Sequence, residues 1–189
     1  MSCAISPYCY RTLSPDNIRL LRLLPHKNET HPIQCELFEY SLQESVRGTH
    51  LYEALSYVWG DPKETLPIYI GKHCVNVTVN LHAALLRLRD RSWIDAICIN
   101  QENKQEKEQQ IQLMARIYGQ ANRVVVWLGE AADNSDKALE EIRFAGGKGS
   151  TNSSTNKTIQ QAVLALLQRP WFRRIWVREQ TLDNIRRNY

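Results

Sequence analysis

An α/β fold, a three-layer and largely parallel sheet flanked by helices with an added N-terminal strand or hairpin region, is predicted by three features of the sequence. Strand-like and helix-like segments alternate after residue 70. Arg123 to Leu128 (RVVVWL) carries three consecutive valines, which are stiff at χ1 and suit a pleated sheet. Ser92 to Asn100 (SWIDAICIN) is apolar apart from Asp95, the pattern of a central strand covered on both faces. In such a sheet, right-handed crossovers are expected and ligands favour the C-terminal ends of the strands.

Residues 1–34 read as a lead-in with Pro15, Pro25 and Pro32, although Ile18 to Leu24 (IRLLRLL) has the makings of an early strand. Cys35 to Leu42 and Leu51 to Trp59 read as strands, and Gly60-Asp61-Pro62 stops the second. Leu66 to Ile70 and His73 to Val79 flank Gly71-Lys72, whose leading glycine suits a type II′ hairpin turn. Asn80 then reads as the N-cap of a helix with Leu81, Ala84, Leu85 and Leu88 on one face, closed by Arg87, Arg89 and Arg91.

Beyond the SWIDAICIN segment, Ile111, Met114, Ala115 and Tyr118 form the apolar stripe of a long helix. After the valine strand, Ser135 and Asp136 cap a helix running to about Phe144. Gly146 to Lys157 is a loop, and Thr158 caps a further helix to Gln168 that Arg169-Pro170-Trp171 breaks. Phe172 to Val177 reads as strand or helical turn. The body of the domain is placed at residues 35–182, with a tail at 183–189.

The 189 residues suffice for one such core, and 43% hydrophobic with 23% charged residues is ordinary globular usage. The net charge of +4 is dispersed, which argues against a specific nucleic-acid partner. Five cysteines without C-x-x-C spacing suit reduced thiols and a cytoplasmic location. No leader-like opening and no apolar run of about 20 residues is present, so no membrane span is expected.

Few motifs carry chemistry by themselves. Ala145 to Ser150 (AGGKGS) has its lysine between glycines and follows a helix, so it lacks the phosphate-loop pattern. The five histidines form no metal-binding helical pair, no G-x-S-x-G surrounds Ser56, and Cys98 has no base near it in sequence. Asp95 is ambiguous: a carboxylate among Trp93, Ile94, Ala96 and Ile97 either serves a ligand or finds structural partners. Asn100 and Gln101, just past that segment, suit either ligand binding or capping of the next helix. Tyr57 and Trp59 read as core anchors or as pocket walls.

Four blocks combine rare aromatics with particular small and polar residues: Tyr52 to Gly60 (YEALSYVWG), Trp93 to Gln101 (WIDAICINQ), Gln109 to Gly129 (QQIQLMARIYGQANRVVVWLG) and Arg169 to Val177 (RPWFRRIWV). Together they resemble the heterokaryon-incompatibility (HET) domain of filamentous fungi over roughly residues 50–180. The resemblance implies an effector of vegetative incompatibility, in which fusion of unlike hyphae triggers programmed death of the mixed cell. It also implies self-association and a recognition or NLR-type partner protein.

HET domains are similar in outline to TIR domains, which implies a flavodoxin-like, TIR-like sheet and cleavage of NAD as a substrate, with no tightly bound cofactor. In TIR-type hydrolases a glutamate lies four residues after a tryptophan; here Trp176 is followed by Glu179 and then Gln180, so the glutamate stands one place early. Glu179 or Gln180 is thereby the expected catalytic position. A neutral Gln180 lacks the charge that stabilises an oxocarbenium-like state, so the activity is expected to be impaired unless Glu179 takes the role. Tyr57, Trp59, Asp95 and Asn100 are the expected pocket. A noncatalytic adaptor acting through assembly is the alternative.

Overall fold

The computed structural model describes residues 8–25, 32–43, 50–88, 91–146 and 157–174. They fall in two compact units, Met1–Trp127 and Leu128–Tyr189. In the first unit a mixed sheet of seven strands holds β1 (Asn17–Leu23), β2 (Gln34–Ser41), β3 (His50–Tyr57), β4 (Thr65–Ile70), β5 (His73–Thr78), β6 (Arg91–Trp93) and β7 (Ala121–Trp127) in the order β5-β4-β2-β1-β6-β3-β7. Following the ladders across, five of the seven strands run one way and only β1 and β5 oppose them. The predicted α/β class with a largely parallel sheet is therefore the observed one.

Two helices pack on opposite faces of the parallel end. Side chains alternate along a strand, so Ala54 and Tyr57 of β3 face opposite ways. Ala54 is in register with Trp93, whose ring meets Tyr118 of α3 (Lys104–Gln120) edge-on at 5.5 Å. Tyr57 is in register with Trp127, whose indole N–H donates to Asn80 of α1 (Val79–Arg87) at 2.9 Å. Helix, sheet and helix form the three layers. The core between them includes Leu20, Leu21, Tyr52, Leu55, Leu81, Leu85, Trp93, Ile97 and Ile117, all essentially removed from water.

Local chemistry explains most boundaries. Gly71 has φ +59°, as the hairpin turn between β4 and β5 requires. The cap of α1 is Thr78, two residues before the predicted Asn80: its hydroxyl accepts from Leu81 N at 3.3 Å. Asn103 caps α3 by accepting from Glu106 N at 3.0 Å. Residues 17–23, inside the predicted lead-in, form β1, an interior strand between β2 and β6.

The predicted strand over Ser92 to Asn100 is corrected. Only Arg91–Trp93 joins the sheet; the chain then turns into the short helix α2 (Asp95–Cys98), with Cys98 N donating to Ile94 O at 2.7 Å. A short apolar run fits a buried helical turn as well as a strand, and periodicity cannot separate them. Cys74 is also corrected, since it is disulfide-bonded, whereas Cys9, Cys35 and Cys98 are free thiols. Its place on β5, an edge strand, keeps it out of the sheet's interior.

The second unit contains α4 (Ser135–Gly146), α5 (Lys157–Leu167) and a 3-10 turn at Pro170–Arg173. Of the segment Phe172 to Val177, expected as strand or helical turn, Phe172 and Arg173 lie in that turn and 175–177 lie outside the described residues. Ala138, Ala162 and Leu166 form its small core with Leu128, Val163 and Phe172. Arg169 ties the unit together by donating to Leu128 O at 3.0 Å and Ala132 O at 3.3 Å. Among the described residues no helix is long and apolar enough to cross a membrane.

Candidate functional site

Because β3, β6 and β7 are parallel neighbours, their carboxyl ends share one edge, where ligands gather in open α/β sheets. Just past the end of β3 stands Trp59, and just past β6 stands Asp95. The indole Nε1 of Trp59 donates to Asp95 Oδ2 at 2.9 Å, so two of the predicted site residues, thirty-six positions apart, meet directly. The other carboxylate oxygen, Oδ1, accepts from the backbone N–H of Ala96 at 2.8 Å, which fixes Asp95 at the first position of α2.

The loop carrying Trp59 is pinned from below by α1 and its cap. The Thr78 hydroxyl donates to the Trp59 carbonyl, and Asn80 Nδ2 donates to the Val58 carbonyl at 2.5 Å. Asn80 Oδ1 simultaneously accepts from Trp127 Nε1, so one amide ties the ends of β3 and β7 to α1. Gly60 follows with φ +84°, and a Cβ there would come within 3.2 Å of Asn80 Cβ. Only glycine lets the chain turn this close to α1. Despite this anchoring, Trp59 keeps 42% of its surface exposed.

The two other predicted pocket residues sit at the end of β3 and in the turn after α2. Tyr57 is buried at the end of β3. Asn100 braces the turn before α3, its Oδ1 accepting from Glu102 N at 3.2 Å and its N–H donating to Glu106 Oε1 at 2.8 Å. Gln101 reaches the site instead, its Nε2 donating to the Asp95 carbonyl at 2.8 Å. The sequence alone suggests a capping role for Asn80 and none for Thr78. The only trace of their linking work was their place between the hairpin and the helix. Glu179 and Gln180 lie outside the described residues.

Behind the site, Arg19 of β1 spans the turn that follows α2. Its Nη1 donates to Cys98 O at 3.1 Å and to Glu106 Oε1 at 2.5 Å, and its Nη2 donates to Glu106 Oε2 at 3.0 Å and to the Arg11 carbonyl. Tyr10 stacks under the guanidinium, 5.0 Å from ring centroid to Cζ, and donates to Ile97 O at 2.9 Å. Cys98 offers no nucleophile, because burial pushes its thiol up to about 12. Among the described residues no group of three His, Cys, Asp or Glu side chains is placed to hold a metal ion.

Comparison of the sequence with known proteins places the chain in a family. The model of the family described as heterokaryon incompatibility protein (HET) matches residues 52–179, which covers Trp59, Asn80, Asp95 and Trp127. The chain is 34% identical over 148 residues to heterokaryon incompatibility protein 6, OR allele, of Neurospora crassa, an alignment covering 69% of this chain. The chain spans 21% of the length of that relative. No solved structure matches it. The chain belongs to the heterokaryon incompatibility (HET) protein family.

Proposed function

We propose that this chain is an effector domain of vegetative incompatibility that triggers programmed cell death on non-self recognition, and that its output is cleavage of NAD or a related nucleotide at the strand-end site. One observation carries the reading: the ends of β3 and β6 bring Trp59 and Asp95 into a single hydrogen-bonded pair on the edge where parallel sheets take ligands. In this reading Trp59 and Asp95 contact the ligand, and Tyr57 and Asn100 belong to the same site.

In the reaction, water adds to C1′ of the ribose as the glycosidic bond breaks. The bonding electron pair passes to the nicotinamide nitrogen, and the water's proton is released. Positive charge builds on the sugar, which a positioned carboxylate stabilises. The resemblance assigns that role to Glu179, or else to the neutral Gln180, in which case the activity is weak. NAD is the substrate here, and self-association in the cytoplasm, prompted by a recognition or NLR-type partner, switches the domain on.

A noncatalytic adaptor is the second reading, favoured by the apolar surface of the second unit. Leu139, Ile142 and Phe144 of α4 and Leu164 and Leu167 of α5 are all exposed, Phe144 to 60%. Such surface suits assembly with further chains. Inducible expression in a filamentous fungus separates the two readings when NAD content and viability are followed together. Cleavage predicts that NAD falls before viability does. Death with NAD unchanged would transfer the function to assembly.

A further inference from the structure

Helix α4 has an apolar surface that the second unit does not use. Ala138 faces that unit's small core, whereas the aliphatic Leu139 and Ile142 keep 46% and 45% of their surface exposed. Side chains this open to water are stabilised when another surface covers them.

Charge gives the same stripe a direction. With about 3.6 residues per turn, positions seven apart stand on one line along a helix, roughly 10 Å from each other, and a residue three past the first falls between them. On α4 that line starts with Asp136 in the first turn, passes Leu139 and ends with Arg143 in the last turn. Both charged residues are exposed, and among the described residues neither takes part in an ion pair. The stripe is acidic at one end, apolar in the middle and basic at the other.

Such a pattern is complementary to its own reverse. A second α4 laid antiparallel on the first, with the two-fold axis beside Leu139, sets Asp136 of each copy against Arg143 of the other and covers Leu139 of both. A lipid surface fits less well, because α4 carries Asp136, Glu140 and Glu141 against Lys137 and Arg143, the opposite of the basic rim that anionic lipid attracts. The 12 residues of α4 span about 18 Å, so contact along them alone is at the small end of protein interfaces and gives a weak, concentration-dependent pair.

We propose that α4 is a two-fold self-association surface of this chain, closed by two Asp136–Arg143 ion pairs around Leu139. This rests on the reading that self-association switches the domain on, and it adds which surface meets which and in what orientation. A weak pair suits that regulation, since separate chains stay apart and chains gathered by a partner associate.

Charge reversal tests the pairing without touching the core, because both residues are exposed. Asp136→Arg and Arg143→Asp chains are purified separately and checked for native helix content by circular dichroism. Each is then run by sedimentation velocity from about 10 μM to about 1 mM, alone and mixed in equal amounts. The parent chain is expected to dimerise as its concentration rises. Each single reversal places like charges across the axis and should associate on the order of tenfold more weakly. The equal mixture sets a basic pair against an acidic pair, so it should associate as the parent does.

Single reversals that associate as strongly as the parent overturn α4 as the surface while self-association itself stands. A parent chain that stays monomeric at the highest concentration overturns both. Weakened single reversals whose mixture stays equally weak overturn the antiparallel pairing, and with it the proposal.

Discussion

Arg19 and Glu106 form a two-point ion pair inside the protein, with Nη1 to Oε1 at 2.5 Å and Nη2 to Oε2 at 3.0 Å, and both side chains are nearly removed from water. The pair joins β1 to α3, and through Cys98 O and Asn100 N it shapes the turn that leads to Gln101 and the Asp95 backbone. Breaking one half of such a pair strands a charge, which costs about 3–5 kcal/mol. Arg19→Met should therefore destabilise the fold by that order in urea unfolding. The double variant Arg19→Met with Glu106→Leu should recover much of the loss, because no charge is left stranded.

The same pair sets an acid limit on stability. Burial by itself would raise the pKa of Glu106, but the Arg19 hydrogen bonds, the Asn100 N–H and the Arg19 charge outweigh it and hold the carboxyl below its ordinary value of 4.5. For a depressed carboxyl, the stability it contributes is present above about 4.5 and is lost as pH falls through the folded value. Urea midpoints measured from pH 7 to pH 3 should decline below that point, and the decline should be shallower in Glu106→Gln, which has no carboxylate to protonate.

Gly60 and Gly71 offer a matched comparison, since both have positive φ but only Gly60 has a close neighbour. Alanine at Gly71 meets open space and carries the left-handed backbone cost alone, roughly 1 kcal/mol. Alanine at Gly60 adds a contact at 3.2 Å with Asn80 Cβ. Gly60→Ala should lower the melting temperature more than Gly71→Ala, and it should also shift the Trp59 indole resonance.

Thiol reactivity should follow burial. Cys9 is exposed, whereas burial pushes the Cys35 and Cys98 thiols up to about 12. Maleimide labelling of the native chain near pH 7.5, read by peptide mass spectrometry, should modify Cys9 and spare Cys35 and Cys98 until denaturant is added. Rapid native labelling at Cys98 would contradict its placement in the core.

Much of the fold was legible in the sequence because it rests on local signals. Three valines marked β7, Gly71-Lys72 marked the hairpin, and helical spacing of apolar residues marked α3, although Ile111 and Ala115 of the expected stripe are exposed and the residues α3 buries are Glu106, Gln110 and Ile117. The Asp95 segment was misread because a four-residue buried helix has the same apolar composition as a buried strand. Trp59 and Asp95 were both legible as candidates, but their direct bond was not, since register and loop geometry decide it. Arg19 was hidden for a related reason: a single arginine in an apolar and basic stretch gives no sign that a glutamate 87 residues away neutralises it.

The most direct test of the proposed chemistry is nicotinamide release from NAD by purified, concentrated protein. It compares this sequence with Glu179→Ala, with Gln180→Glu and with the double variant Glu179→Gln, Gln180→Glu. The expected result is release that depends on a carboxylate at one of these two positions and rises per molecule as the protein is concentrated. Activity in this sequence that Glu179→Ala abolishes assigns the role to Glu179, and activity appearing only with glutamate at 180 assigns it there. No nicotinamide from any of the four, even when crowded into oligomers, would contradict the account.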